Sequence, residues 1–276
     1  MLKEPDFSGS FSIRDVGNLL SGNDMLQELH RHSFFYVLVL EKGMGEHDID
    51  FISYPVQNHS VFFMRPGQVH ALSLRNGSTG YLMEFANDFY SPFEKQASQV
   101  LRKVSSKNYC QVDADRFGRL YSILTYIFQE YREKQEKYLE VIKSSLDIFF
   151  IELVRQSRDP QSVSSVTSQY MQDRLEELLE LIALHAANDK QVSYYAQLLN
   201  MTPYQLNAVT KSTLGKTCSQ LINDYVILEA KRYLLATSNQ VNQIAYHLGY
   251  DDVSYFVRFF KKHSGHSPDA FRQNFK

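Results

Sequence analysis

Apolar residues near the carboxy-terminal end of the chain recur at helical spacing before a single glycine. Ile244, Ala245 and Leu248 fall on one face of a short helix that stops at Gly249. Glycine takes the left-handed backbone conformation of a tight turn between helices at little cost. We therefore predict a helix, a turn at Gly249 and a second helix after it.

The helix after this turn is predicted to have one apolar and one polar face. Asp251 or Asp252 can cap its start, and Val253, Phe256 and Phe260 recur at a spacing that buries one face. The opposite face offers hydrogen-bonding and methyl groups, and a DNA major groove is wide enough to admit such a helix. The candidate DNA-contacting residues of this helix are Val253, Ser254, Val257, Arg258 and Lys261.

The same arrangement occurs once more upstream, between Val192 and Lys216. A short apolar helix ends at Asn200, and Thr202 and Pro203 suit the cap and the first position of the next helix. Its outward side chains include Gln and Asn, which can pair with adenine through two hydrogen bonds. The candidate DNA-contacting residues here are Tyr204, Gln205, Asn207 and Lys211.

A long helix is predicted between the two units, over Ser219 to Ala236, from its recurring apolar residues. Two recognition helices on a rigid connector would face one side of a duplex about 34 Å apart, which is one turn of DNA. We therefore predict that each chain reads two adjacent segments of the major groove.

This carboxy-terminal part resembles the double helix-turn-helix domain of the AraC/XylS family of bacterial transcription regulators. The matching residues are Ala196, Leu199, Met201, Leu206, Lys211, Gly215, Lys216, Glu229, Ala230, Leu234, Ile244, Ala245, Gly249, Tyr250, Ser254, Tyr255, Phe256, Arg258, Phe260, Lys261, Gly265, Ser267, Pro268 and Arg272. The chain departs from the family pattern at Ala208, where an arginine is usual, and at Thr210, where an aromatic residue is usual. The resemblance implies a sequence-specific regulator that binds double-stranded DNA, with RNA polymerase as a further candidate partner.

The first part of the chain, to about Asp113, contains short runs rich in Val, Ile, Phe and Tyr, which are typical of strands. The predicted strands are Phe34–Leu40, Gly45–Ile52, His59–Met64, Ala71–Leu74 and Gly80–Phe85. The predicted turns are Lys42-Gly43, Tyr54-Pro55, Arg65-Pro66-Gly67 and Asn76-Gly77. Many short strands at this rhythm indicate a sandwich or a barrel.

Several residues of this part resemble remnants of the two motifs of the cupin barrel, the usual amino-terminal partner of this DNA-binding domain. They are His30, His32, Gly43, Pro66, Gly67 and His70. A metal-binding cupin also supplies a glutamate, whose place is taken here by Tyr36 and Val37. We therefore predict a barrel without metal or cofactor. The alternative is a metal-dependent cupin enzyme with a helical assembly domain, in which His30, His32 and His70 would be ligands.

Regulators of this type use the barrel to bind a small-molecule effector or to form a dimer. Polar side chains that can face the interior of such a barrel are the candidate effector contacts. They are Tyr36, Arg65, His70 and Glu84. The chemical identity of the effector does not follow from these residues.

Two helical runs follow the strands, Asp115 to Tyr131 and Leu139 to Arg155, and their apolar faces exceed what one flank of a barrel needs. In similar regulators such a pair forms an antiparallel dimer contact, so we predict a homodimer; the alternative is packing within one chain. Residues 157–168 are polar with a proline, which is typical of a linker. The predicted chain is α+β: a cupin-like sensor and dimerisation domain (1–156), this linker, and an all-α DNA-binding domain (169–276).

Composition limits the other function classes. A length of 276 residues with 43% hydrophobic residues suits two globular domains, and no stretch reaches the roughly 18 apolar residues that a membrane span needs. The two cysteines, Cys110 and Cys218, lie in different predicted domains, and no secretion signal is evident, so we expect a cytoplasmic protein. Residues 169–276 carry 11 Lys and Arg against 10 Asp and Glu. Because most DNA-binding domains are basic, affinity must here come from local clusters of charge and from dimerisation.

Overall fold

The computed structural model describes residues 9–90, 100–101, 103–105, 107–156 and 166–275, and the chain divides into two compact units, 1–161 and 162–276. Most of the predicted linker, residues 157–165, lies outside the described residues. The first helix of the second unit begins at Val166, within the predicted linker. The boundaries of the predicted domains stay predictions.

The first unit contains two antiparallel sheets. Their strands are β1 (Phe11–Asp15), β2 (Met25–Arg31), β3 (Phe35–Lys42), β4 (Gly45–Ile49), β5 (Ile52–Val56), β6 (Ser60–Met64), β7 (Val69–Leu74), β8 (Thr79–Phe85) and β9 (Tyr109–Gln111), with the short helix α1 (Val16–Leu20) after β1. One sheet has the order β1-β8-β3-β6-β9 and the other the order β2-β7-β4-β5. Among the described strands no pairing joins the two sheets into one closed barrel.

The five-stranded sheet is covered by apolar groups on both faces. Tyr36, Leu38 and Phe62 pack toward Leu72 and the rest of the four-stranded sheet. On the other face, the alternate residues of β3 pack against the helices α2 (Ala114–Glu133) and α3 (Tyr138–Gln156). Residues 35–40 are all buried, because alternate side chains of a strand point to opposite faces and both faces are covered here.

The structure changes one predicted strand and one predicted turn. The predicted strand Gly45–Ile52 is a hairpin, because Asp50 and Phe51 both have a positive φ (49° and 70°) and reverse the chain between β4 and β5. The turn predicted at Tyr54-Pro55 is wrong, since Pro55 lies within β5. That strand is at the edge of its sheet, where a residue without an N–H group is tolerated.

The predicted helices of the first unit are confirmed at α2 and α3. Asp113 caps α2 through its side chain, and Lys134 in the left-handed conformation ends it. Strands β1, β2 and β9 have no counterpart in the sequence prediction. Their short or mixed polar sequences lack the runs of β-branched and aromatic residues that identified the other strands.

The second unit is all helical. Its helices are α4 (Val166–His185), α5 (Val192–Leu198), α6 (Pro203–Leu214), α7 (Cys218–Ala236), α8 (Val241–His247), α9 (Val253–Ser264) and α10 (Pro268–Phe275). Both helix-turn-helix pairs, α5–α6 and α8–α9, and the long connecting helix α7 are confirmed. Helix α4 was not predicted, and Leu178 and Ile182 from it enter the same apolar core as Phe256 and Phe260.

The described architecture is therefore α+β, with a β-rich unit followed by a helical one. Cys110 and Cys218 are free thiols, one in each unit. Within the part of the chain that the structure describes, no helix combines the length and the apolar character that crossing a membrane requires.

Candidate functional site

Helix α9 is held at both ends by local interactions. The Asp252 carboxylate accepts hydrogen bonds from the backbone N–H groups of Ser254 (2.7 Å) and Tyr255 (3.1 Å), so Asp252 is the cap. At the other end the helix stops at Gly265, whose φ of 83° is the left-handed conformation common after helices. Phe256 and Phe260 are fully buried on its inner face. These contacts orient the opposite face outward.

The outer face of α9 carries the residues that the sequence predicted. Ser254, Arg258 and Lys261 are exposed and lie four and three residues apart, on one side of the helix, whereas Val253 and Val257 are half-buried beside them. The Arg258 side chain is 71% exposed, and its guanidinium lies 3.9 Å from the carboxylate of Asp252, which is also exposed. Because an exposed ion pair at this distance contributes little, Arg258 can leave it for a partner outside the protein.

The turn before α9 is fixed against the loop that follows α4. Gly249 has a φ of 73°, and a β-carbon there would overlap the carbonyl oxygen of Ala187. The Tyr250 N–H donates to the Ala245 carbonyl (2.9 Å). The Lys190 ammonium lies 4.6 Å from the centre of the Tyr250 ring and donates to the Gly249 carbonyl (3.4 Å). The position of α9 is therefore set by backbone contact and not only by its apolar face.

In helix α6, two of the four predicted DNA-contacting residues are engaged within the fold. The Gln205 side-chain oxygen accepts a hydrogen bond from the Thr202 N–H (2.8 Å), while the Thr202 hydroxyl oxygen accepts one from the Gln205 N–H (3.2 Å). Asn207 donates to the Pro203 carbonyl (3.0 Å) and accepts from the N–H of Cys218 (3.0 Å) at the start of α7. Gln205 thus stabilises the start of α6, and Asn207 ties α6 to α7.

The other two predicted residues of α6 project outward. Tyr204 is 84% exposed and Lys211 is exposed, with Ala208 exposed between them on the same side of the helix. Thr210, the second departure from the family pattern, is fully buried. The outer face of α6 therefore carries fewer positive charges than that of α9.

The candidate effector contacts divide between the interior of the first unit and its surface. Tyr36 and His70 are buried between the two sheets, with ring centres 5.1 Å apart. Glu84, which faces Tyr36 across the strand pair β3–β8, accepts a hydrogen bond from Ser12 (2.8 Å) and forms an ion pair with Arg14. Burial raises the pKa of the Glu84 carboxyl, and Arg14 opposes that rise. Arg65 is exposed on the turn after β6.

Four histidines, which we call the histidine cluster, meet on the inner face of the four-stranded sheet: His30, His32, His47 and His70. The Nε2 atom of His32 is 3.0 Å from the Nε2 atoms of both His30 and His70, and His70 Nδ1 is 2.9 Å from His47 Nε2. Burial lowers the pKa of His32 to about 4 and of His47 to about 3, and lowers that of His70 as well. Sequence reasoning missed His47, although the alternation of β4 places it beside the inward residue Ile49.

The comparisons with known proteins bear on the helical unit first. A family model described as a helix-turn-helix domain matches residues 195–274, which include the second half of α5 and all of α6 to α9. Over 249 residues (88% of this chain and 87% of the relative) the chain is 22% identical to the HTH-type transcriptional activator RhaS of Enterobacter sp. (strain 638). It is 23% identical over 261 residues (90% and 79%) to the uncharacterized HTH-type transcriptional regulator YfiF of Bacillus subtilis. The crystal structure of ToxT from Vibrio cholerae O395 is similar with a TM-score of 0.46 and 15% identity, covering 97% of this chain and 98% of that chain.

Proposed function

We infer that the chain is a DNA-binding transcription regulator of the AraC/XylS family and that α9 and α6 enter two adjacent major-groove segments of a specific DNA site. The observation that carries the proposal is the exposed row of Ser254, Arg258 and Lys261 on a helix whose other face is buried. The reported relatives are transcription regulators, so the alternative of a cupin enzyme has no support among them.

We propose that the two helices contribute unequally. Arg258 can pair with the two acceptors of a guanine edge, whereas Lys261 meets phosphates. On α6, Gln205 and Asn207 already have partners inside the protein, which leaves Tyr204 and Lys211 as its main contacts. A phenol and an ammonium contact the backbone well but discriminate poorly between bases. Base preference should therefore come mainly from α9.

Replacing Arg258 by alanine should weaken binding to the preferred site by about 1–3 kcal/mol, or about 5- to 150-fold, because it removes a bidentate base contact. The preferred site is first obtained by selecting bound fragments of the parent genome with the full chain. Affinities are then measured for this site and for versions altered at single base pairs. The alanine variant should lose preference at one position only.

The matched variant Arg258→Lys separates charge from base recognition. It keeps the positive charge, so its dependence on salt concentration should equal that of the wild type, but it should lose the preference at the same base pair. An Arg258→Ala protein with unchanged affinity and preference would refute the assignment of Arg258. A full chain that prefers no genomic fragment over scrambled duplex would refute the proposed function itself.

We further propose that the protein binds DNA as a homodimer formed through α2 and α3. The two helices expose large apolar side chains, namely Tyr126, Ile148 and Ile151, although their other faces are fully packed. A second copy would double the number of recognition helices on one operator, which compensates for the nearly neutral charge of residues 169–276.

Replacing Ile148 by glutamate should convert the dimer to a monomer, since a buried carboxylate without a partner is costly at an interface. Sedimentation equilibrium of the full chain measures this directly. Gln135→Glu, on the exposed turn between the two helices, adds the same charge outside the proposed interface and should leave the dimer intact. An Ile148→Glu protein with an unchanged dimer mass would show that these helices pack only within the chain.

For the first unit we propose a cupin-like sensor. The facing sheets enclose Tyr36, His70 and Glu84, which we assign as contacts of a small-molecule effector, with Arg65 on the surface as a fourth candidate. An effector with different affinities for two states of the protein shifts the population between them, and DNA binding changes with it. Equal operator binding with every member of a broad metabolite set would argue against this. As part of the proposed function, we also propose RNA polymerase as a further partner and the cytoplasm as the location of the protein.

A further inference from the structure

Three imidazole rings of the histidine cluster converge on one point inside the first unit. His30 and His70 face each other across the strand pair β2–β7, and His32 lies in the loop directly after the end of β2. Their Nε2 atoms are 3.0 Å apart for His30 and His32 and for His32 and His70, and all three lie within 4.8 Å of one another. Three ring nitrogens, two from strands and one from the loop after β2, therefore surround one small volume.

Hydrogen bonds alone cannot satisfy this geometry. Each nitrogen of a neutral imidazole carries either one proton or one lone pair in the plane of the ring. His32 Nε2 has two nitrogen neighbours at 3.0 Å but carries only one proton or one lone pair, so the two contacts cannot both be ideal hydrogen bonds.

A transition-metal ion would satisfy all three nitrogens together. Imidazole nitrogens lie about 2.0–2.1 Å from zinc, so two of them on one ion are about 3.4 Å apart in tetrahedral geometry and about 2.9 Å apart as octahedral neighbours. The spacing of 3.0 Å for the two pairs that include His32 falls between these values, and the His30 and His70 nitrogens lie within 4.8 Å of each other. The prediction of a barrel without metal depended on the missing glutamate, but three imidazoles with an open position for water are themselves a known ligand set.

The Nδ1 atoms of His30 and His70 have hydrogen-bond partners that hold both rings in the orientation a metal ligand needs. His30 Nδ1 is 2.7 Å from the Glu28 carbonyl oxygen, so that nitrogen carries the proton and Nε2 has the lone pair. His70 Nδ1 is 2.9 Å from Nε2 of the fully buried His47. Such outer hydrogen bonds fix the tautomer and the ring orientation of metal-binding histidines.

We propose that His30, His32 and His70 bind one divalent transition-metal ion through their Nε2 atoms, with His47 as a positioning residue that orients His70. The ligand set selects for ions that prefer imidazole, such as zinc, nickel, cobalt or copper, over magnesium or calcium. All four histidines belong to the first unit, so the site does not depend on the DNA contacts proposed above. Its chemistry makes a metal ion, or a small molecule that coordinates one, a candidate for the effector class.

The test uses the full chain, stripped of metal with a chelator and titrated with Co²⁺ while the visible ligand-field absorption is recorded. The wild type should bind one Co²⁺ ion per chain and should unfold at a higher temperature when the ion is bound. Added Zn²⁺ should displace the bound Co²⁺. Magnesium should produce none of these effects. His32→Ala and His30→Ala, at positions that are only half-buried, should abolish the absorption and the rise in melting temperature.

Two further variants separate a positioned site from a chance cluster. His47→Gln should retain binding with affinity reduced about 10- to 100-fold, as expected when an outer hydrogen bond to a ligand is lost. His59→Asn is the matched control, because His59 lies in the same unit with a positive φ of 61° that asparagine tolerates, and it should bind Co²⁺ like the wild type.

A wild-type chain that binds no Co²⁺, or a His32→Ala chain that binds it equally well, would overturn the proposal. Equal affinities for wild type and His47→Gln would overturn the role of His47. These results are distinguishable from a failure of the proposed function: a protein that selects an operator but no ion refutes the metal site alone, and one that binds the ion but no specific DNA refutes the regulator alone.

Discussion

Replacing Gly249 by alanine should destabilise the helical unit by about 3 kcal/mol or more, the largest effect that we expect from a single added methyl group in this protein. The backbone of Gly249 has a φ of 73°, which already strains a side chain. The new β-carbon would in addition overlap the Ala187 carbonyl oxygen and lie 2.9 Å from its carbon. Since both contacts are with backbone, no rotamer change relieves them, and the turn before α9 must move.

Gly265→Ala is the matched control for this prediction. Gly265 also has a left-handed φ (83°) at the end of α9, but nothing lies within 4 Å of an added β-carbon. Its substitution should cost only about 1 kcal/mol, the conformational part of the penalty. Hydrogen exchange of the full chain, followed peptide by peptide over α5 to α10, measures both effects in the unit concerned. Equal losses for the two variants would show that the contact with Ala187 does not hold the turn.

Replacing Arg14 by alanine should destabilise the β-rich unit by about 3 kcal/mol at neutral pH, because it leaves the carboxylate of Glu84 buried with its charge uncompensated. The Glu84 side chain is 1% exposed, and Ser12 offers only one hydrogen bond in place of the ion pair. Arg75, whose ion pair with Asp24 is exposed at both partners, is the control. Arg75→Ala should change the free energy of unfolding by less than about 1 kcal/mol.

The pH dependence of this loss has a defined sign. Burial places the pKa of Glu84 above its ordinary value of 4.5, and removing Arg14 takes away a group that lowers it. A carboxyl whose pKa is raised by folding costs stability as the pH rises through that pKa, so the Arg14→Ala deficit should be smallest below pH 4.5 and grow above it. The double variant Arg14→Ala/Glu84→Gln should recover most of the loss in urea unfolding at neutral pH. A deficit that is constant with pH and unrelieved by the glutamine would contradict the ion-pair account.

The two helix-turn-helix pairs and the helix that connects them could be predicted closely because their determinants are local, whereas α4 was not predicted. Thr202 with Pro203 and Gly249 are short-range capping and turn residues that follow from their own sequence neighbours. The cap of α9 was narrowed to Asp251 or Asp252, and the structure has Asp252. The orientation of Arg258 and Lys261 follows from the periodicity of one amphipathic helix. These features require no knowledge of how distant segments meet.

What could not be predicted depends on pairing between distant residues. Asn207 carries the hydrogen-bonding groups of a side chain that could read a base. Its side-chain oxygen, however, accepts a hydrogen bond from the N–H of Cys218 in the next helix. Similarly, the interaction of His47 with His70 exists only because β4 pairs with β7. No local pattern sets that pairing, so a histidine outside the recognised motif was not identified. Asp50 and Phe51 show a different kind of error. The chain reverses direction at these two residues, although the surrounding sequence predicts one continuous strand.

Strand β3 contacts both the interior between the two sheets and the outer helices of the first unit. Tyr36 touches the ring of His70 on one face, while its neighbour Val37 packs into the core that includes α2 and α3 on the other. A single peptide bond joins the two, and neither side chain is exposed. We therefore expect that a molecule displacing Tyr36 between the sheets would also shift Val37 and, through it, the packing of α2 and α3.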